Sequence, residues 1–184
     1  MEVTRRVRLP ILLGLLGLSV VALSERSRIQ SWAWGSEPAK RAGVMAPELP
    51  AGTRSLEDRP QHIADLRGHV VLLHFWTFAC GNCEHMLPSY TAWDDRYRER
   101  GLRVIGVHTP ELPSERNLDS LRAFVKKKAL RWTVISDLGE TIWDTFGVHA
   151  WPTIFVIDKE GRIAATFVGD DRAAEIESLI EKLL

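Results

Sequence analysis

Cysteine is nearly missing from these 184 residues; Cys80 and Cys83 are the only two. A domain stapled by structural disulfides would scatter its cysteines along the chain, so that class is excluded. The loop that a Cys80–Cys83 bond would close is tiny, and so short a loop removes little entropy from the unfolded chain. A bond that is easily made and broken is the better reason for the pair. A zinc site lacks its second pair of ligands, because His85 alone does not replace them. Covalently attached haem needs His directly after the second cysteine, and Glu84 stands there. No metal and no cofactor are expected.

Net charge is missing too. Lys+Arg and Asp+Glu both number 24. A nucleic-acid partner would call for a basic surplus, so none is expected. Internal repeats are absent. A comfortable membrane span of roughly 20 apolar residues is also lacking. The uncharged stretch 9–23, behind Arg5, Arg6 and Arg8, falls short of that length. A basic start followed by a short apolar run has the shape of a secretory signal, and Ala22-Leu23-Ser24 offers small residues for cleavage. Residues 1–24 are therefore expected to be a signal peptide or an N-terminal membrane anchor. Either way the following chain lies outside the cytoplasm, secreted or membrane-anchored, since the arginines stay inside. Residues 25–45 mix Ser, Arg, Trp, Ala and Gly without a period and are expected to be a linker. Residues 46–184 are expected to form the folded domain.

Within that domain hydrophobic periodicity predicts alternating elements. Val70–Trp76 is an apolar run that reads as a buried strand, entered through the turn Asp65-Leu66-Arg67-Gly68. Cys83, Leu87, Tyr90, Trp93 and Tyr97 recur at helical spacing, with Pro88 inside and Gly101 at the end. Residues 102–107 read as a strand. Leu118, Leu121, Phe124 and Val125 make a helix, and 132–135 a strand. Ile142, Trp143 and Phe146 make a short helix. Residues 153–157 and 163–168 form a hairpin around Asp158-Lys159-Glu160-Gly161. Ile176, Leu179, Ile180 and Leu183 close the chain as a helix. The order β-α-β-α-β-α-β-β-α predicts an α/β fold with parallel pairing and a final antiparallel edge.

The dithiol sits where the first strand ends and its helix begins. A thiolate, not a thiol, attacks a disulfide. Unpaired N–H groups and the helix dipole at that terminus stabilise a negative charge on Cys80. Cys83 lies one turn inside, on the buried face with Leu87. Cys80 is thus the expected nucleophile and Cys83 the resolving thiol, joined as a disulfide when oxidised. Glu84 acts against this, since a nearby carboxylate raises a thiol pKa.

Phe75-Trp76-Thr77 before the dithiol, the stretch Gly106-Val107-His108-Thr109-Pro110-Glu111, Pro88, and Trp151-Pro152 together resemble the thioredoxin superfamily. The nearest likeness is to the extracytoplasmic TlpA/ResA group and the thioredoxin-like domain of DipZ proteins. The resemblance covers about residues 55–170. It implies a thioredoxin fold, three layers α/β/α with a central mixed sheet and a C-terminal β-hairpin plus helix. It implies thiol–disulfide exchange with protein dithiols and disulfides, with a membrane electron donor of the CcdA/DsbD type; the target is not written in the residues, and apocytochrome c is one candidate. Pro152 then matches a cis-proline facing the dithiol, which only an X-Pro bond makes cheap. Its missing N–H leaves the backbone of Trp151 free for an incoming substrate strand, and Trp76 is expected beside the substrate too. Glu111 matches a family acid that handles protons; its alternative is a solvated loop carboxylate. His74 stands where thioredoxin buries an Asp, and is either a proton relay to Cys83 or a core residue. Ala79 replaces the Trp that many relatives carry before the first cysteine.

Two other functions stay open. Thr77-x-x-Cys80 is similar to the Thr-x-x-Cys loop of AhpC/TSA-type peroxiredoxins, although Leu73 occupies the place of their proline. A non-enzymatic adaptor at the membrane would have no use for an intact dithiol.

Overall fold

The computed structural model describes residues 42–184. The expected signal or anchor, and the linker up to residue 41, lie outside the described residues. The strand β1 (Val70–Trp76) organises the domain, and all of its residues are buried. Its sequence has no turn-former and is rich in valine, leucine and aromatics, which suit a strand covered on both faces. Alternation sends Val70, Leu72 and Trp76 to one face and Val71, Leu73 and Phe75 to the other.

The first face is covered by α1 (Gly81–Tyr97), α2 (Leu118–Lys127) and α4 (Ala173–Leu183). They bury Tyr90, Tyr97, Leu121, Ile176 and Ile180 against it. The second face takes α3 (Thr141–Thr145) and the segment before β1, through Ile142, Phe146, Leu49 and Ile63. Each such side chain stabilises the fold by roughly 1.5–3 kcal/mol when fully buried. The helix α1 runs through Pro88 and tightens into a 3-10 turn, Arg98–Arg100. Gly101 stops it at φ 107°, a conformation that glycine adopts without steric cost.

The remaining strands are β2 (Leu102–His108), β3 (Thr133–Ser136), β4 (Thr153–Ile157) and β5 (Ile163–Val168). Their order across the sheet is β3-β2-β1-β4-β5. This is the expected mixed sheet with helices on both faces and a closing hairpin and helix. One detail differs from the alternation rule. The antiparallel strand β4 is interior, paired to β1 with Thr153 opposite Phe75. The strand β3 ends beside His108, and His108 pairs with Trp76. Chain leaving β3 therefore re-enters the sheet from the same end. The five residues of α3, at about 1.5 Å each, are too short to carry it back down a strand. Residues 43–46 are tied to the hairpin, with Gly43 N–H on Ile163 O at 2.8 Å and Ala46 N–H on Gly161 O at 2.9 Å. Among the described residues no helix is long and apolar enough to cross a membrane.

Candidate active site

The loop that leaves β1 delivers Cys80 to the cap position of α1 in an extended conformation. The Cys80 sulfur accepts a hydrogen bond from the Cys83 N–H at 3.2 Å. This is one of the donors a helix start leaves unpaired. The two cysteines are disulfide-bonded, with Cα atoms 5.2 Å apart. Cys80 is half-buried, whereas Cys83 has 0% exposure and joins the core with Met86, Leu87 and Tyr90. Gly81 and Asn82 between them are exposed. Glu84, the acid expected to oppose ionisation of Cys80, is paired with Lys128, which holds its own pKa down.

A second loop arrives at the same end of the sheet. The Trp151–Pro152 peptide bond is cis, and Thr153 follows it into β4. The Trp151 indole N–H donates to Thr109 O at 3.1 Å. Its ring lies on Trp143, with centroids 4.3 Å apart. Trp143 is held in turn by the buried Asp137, which accepts its N–H at 2.9 Å and that of Ile142 at 3.1 Å. The Trp151 ring is therefore oriented by the loop after β2 and by the start of α3.

The loop after β2 carries two acids with different environments. The carboxylate of Glu111 is exposed. Glu115, in the 3-10 turn Pro113–Arg116, is fully buried. Its Oε1 accepts from the Thr77 hydroxyl and from the Ala79 N–H at 2.8 Å. Its Oε2 accepts from the N–H groups of Glu111 at 3.0 Å and Leu112 at 2.9 Å. A carboxylate offers about four acceptor positions, so all are used. Burial pushes the Glu115 carboxyl up, but these hydrogen bonds outweigh it and hold it below its ordinary value. Glu115 is the site residue that sequence reasoning missed. Leu112-Pro113-Ser114-Glu115 does carry a helix-start signal, Pro first and Glu third. Nothing local says that the carboxylate turns inward.

His74 and Trp76 lie beneath the dithiol on the α1 face. His74 stacks on Tyr90 with centroids 4.0 Å apart, and both of its ring nitrogens lack a hydrogen-bond partner. Burial pushes His74 down to about 3, so the ring is neutral at neutral pH. Trp76 is 1% exposed and packs on His108 and Phe124. It supports the site from below and presents no face to solvent. His108, also buried, is pushed down to about 4 by burial, with Glu115 opposing. Its Nε2 lies 3.4 Å from the Thr77 hydroxyl, and its ring stacks on Phe78.

These two histidines make stability depend on pH with a defined sign. The unfolded chain takes up protons near the ordinary histidine pKa of 6.5, and the folded chain refuses them down to about 3 and about 4. Their contribution is whole above that ordinary value and is lost as pH falls toward the folded values. The expected slope is up to about 1.4 kcal/mol per pH unit for each histidine. Urea unfolding at a series of pH values measures it, and His74→Phe should remove about half. A slope unchanged in His74→Phe would contradict a neutral buried His74.

Among the described residues no three His, Cys, Asp or Glu side chains gather as metal ligands. The arrangement is a half-exposed sulfur at a helix start, a buried partner sulfur, and a tryptophan-bearing loop at the same end of the sheet.

The model of the AhpC/TSA family matches residues 42–166. Thiol-disulfide oxidoreductase ResA of Bacillus anthracis is 30% identical over 128 residues, which cover 70% of this chain and 71% of ResA. Protein DipZ of Mycobacterium bovis is 27% identical over 172 residues, 92% of this chain but 25% of DipZ. The chain spans still less, 14%, of the Arabidopsis thaliana protein SUPPRESSOR OF QUENCHING 1. Among solved structures, a thiol:disulfide interchange protein of the thioredoxin family from Chlorobium tepidum superposes with a TM-score of 0.64 at 21% identity. That match covers 76% of this chain and 94% of the other, and shows the shared fold. The chain belongs to the AhpC/TSA family, and its C-x-x-C pair sets it beside thioredoxin-like members such as the thiol–disulfide oxidoreductase ResA.

Proposed function

We propose that this protein exchanges thiols for disulfides on protein substrates outside the cytoplasm, working as a reductase. The Cys80 thiolate attacks a substrate disulfide, forming a mixed disulfide and releasing one substrate thiolate. The Cys83 thiolate then attacks the Cys80 sulfur. The Cys80–Cys83 disulfide forms, the second substrate thiolate leaves, and each leaving thiolate takes up a proton. Two electrons pass to the substrate, so the dithiol must be regenerated by a donor. A membrane donor of the CcdA/DsbD type suits a domain tethered or exported by residues 1–24. The observation that carries this reading is the unequal burial of the two sulfurs. A partner reaches Cys80 first, and Cys83 meets only what is already bound there.

The other residues take supporting roles. Pro152 and Trp151 face the incoming substrate strand. Glu111, exposed beside the site, exchanges protons with water. His74, neutral, stacked on Tyr90 and without a hydrogen-bond partner on either ring nitrogen, takes the core role of the two expected for it and packs under α1. Equilibrating the dithiol with glutathione tests the direction. A reductase is expected near thioredoxin's potential of about −270 mV, and an oxidase near about −120 mV. A value at the oxidising end would overturn the reductase assignment.

The AhpC/TSA match favours one second reading, a peroxidase. The Thr77 hydroxyl, which a peroxidase would aim at its cysteine, is instead bonded to Glu115. Peroxide consumption by Cys83→Ser separates the two. A peroxidase keeps rapid oxidation of Cys80, whereas an exchange enzyme is expected to show only the slow background of a free thiol.

A further inference from the structure

Ala79, which donates its N–H to Glu115, directly precedes Cys80. Glu115 therefore lays an ionised carboxylate against the loop that carries the attacking sulfur. A buried charge is screened by salt and water far less than a surface one. All four groups that bond it are a hydroxyl or backbone N–H groups, and among the described residues no Lys or Arg forms an ion pair with it. The other titratable groups around the loop are paired, neutral or solvated. Glu84 is paired with Lys128, the exposed His85 ring is hydrogen-bonded to Asp170, His108 is neutral through burial, and Glu111 faces water. Stabilisation of a Cys80 thiolate comes from the Cys83 N–H and the start of α1. Glu115 opposes that stabilisation through the negative charge it holds on the N–H of the neighbouring Ala79.

This inference rests on the exchange reaction described above. We propose that Glu115 is a positioning residue with two effects on Cys80. It clamps the loop 77–79 to the turn after β2, and its charge keeps Cys80 toward the protonated thiol. Destabilising the thiolate destabilises the reduced protein, because the oxidised protein holds no charge on that sulfur. The dithiol is therefore a stronger reductant than its helix-start location alone would make it.

The test compares Glu115→Gln with wild type in the full chain. Thiolate formation is followed by ultraviolet absorbance against pH, and the dithiol is equilibrated with glutathione. Loss of the charge should lower the Cys80 titration midpoint by about one pH unit. Above that midpoint it should move the glutathione equilibrium about tenfold toward the dithiol, about 30 mV. At a pH low enough to protonate Cys80 in both proteins the difference should vanish. An unchanged midpoint overturns the proposal. So does a shift that persists at low pH, which marks lost loop geometry rather than a lost charge. Should Glu115→Gln not fold, Thr77→Val carries the test. It removes one hydrogen bond and leaves the charge, so the Cys80 midpoint must not fall; a fall overturns the charge effect. Neither measurement uses a protein substrate. A wild-type dithiol that does not equilibrate with glutathione defeats the exchange reading itself, whereas normal equilibration with no variant effect defeats only the role of Glu115.

Discussion

Cys80→Ser is expected to lose disulfide reduction by on the order of 10³-fold or more, because a hydroxyl at a helix start is no substitute for a thiolate. Cys83→Ser is expected to behave differently. Its Cys80 is intact and still attacks, but nothing resolves the product, so mixed disulfides with substrate proteins accumulate. Non-reducing electrophoresis of both variants after incubation with an oxidised protein substrate distinguishes them. The asymmetry follows from geometry. Cys80 is half-exposed at the cap, and Cys83 is sealed on the buried face of α1 with 0% exposure. Equal trapping by both variants would mean that the two sulfurs are equally accessible, and wild-type reduction by both would end the proposed function.

The second large effect is expected at Gly106, in the middle of β2. A Cβ added there would lie 2.7 Å from the Trp76 indole nitrogen and 2.9 Å from His74 Nε2. Neither ring is free to yield. Trp76 packs against His108 and Phe124, and His74 is stacked on Tyr90 with Trp132 at its edge. Overpacking of this kind typically costs 1–3 kcal/mol, and with two blocked aromatic neighbours Gly106→Ala should lose about 3 kcal/mol. For a domain of this size that lowers Tm by roughly 6–12 °C. Calorimetry reads it directly. A Tm unchanged by Gly106→Ala would mean that the rings over the strand can shift, and that the support under the dithiol is softer than its packing suggests.

Glycine at 106 was visible in the sequence only as one residue of a match to a family motif. Its physical reason is that two large rings from β1 cross over the neighbouring strand. That reason exists only when β1 and β2 are paired in the observed register, His74 opposite Gly106. Glu115 is a similar case. Thr77 and Ala79 lie more than thirty positions from it, so no local pattern marks it as buried. Glu111, four residues earlier, carries the family likeness, yet its carboxylate faces solvent.

The sequence by itself determined the elements and their order, because periodicities of two and of 3.6 residues are written into neighbouring positions. It also determined the dithiol and its site at a strand-to-helix junction, since the apolar run, the C-x-x-C spacing and the helical repeat are all local. The hairpin around Gly161 was legible for the same reason. Only the tertiary structure decided that β4 lies antiparallel in the interior, that Trp151 is oriented through Thr109, Asp137 and Trp143, and that Glu115 binds the Cys80 loop. Each of these depends on which distant segments meet at one end of the sheet. Hydrogen-bond satisfaction of a buried charge, and the space left for a single Cβ, are properties of that meeting and of no stretch of chain alone.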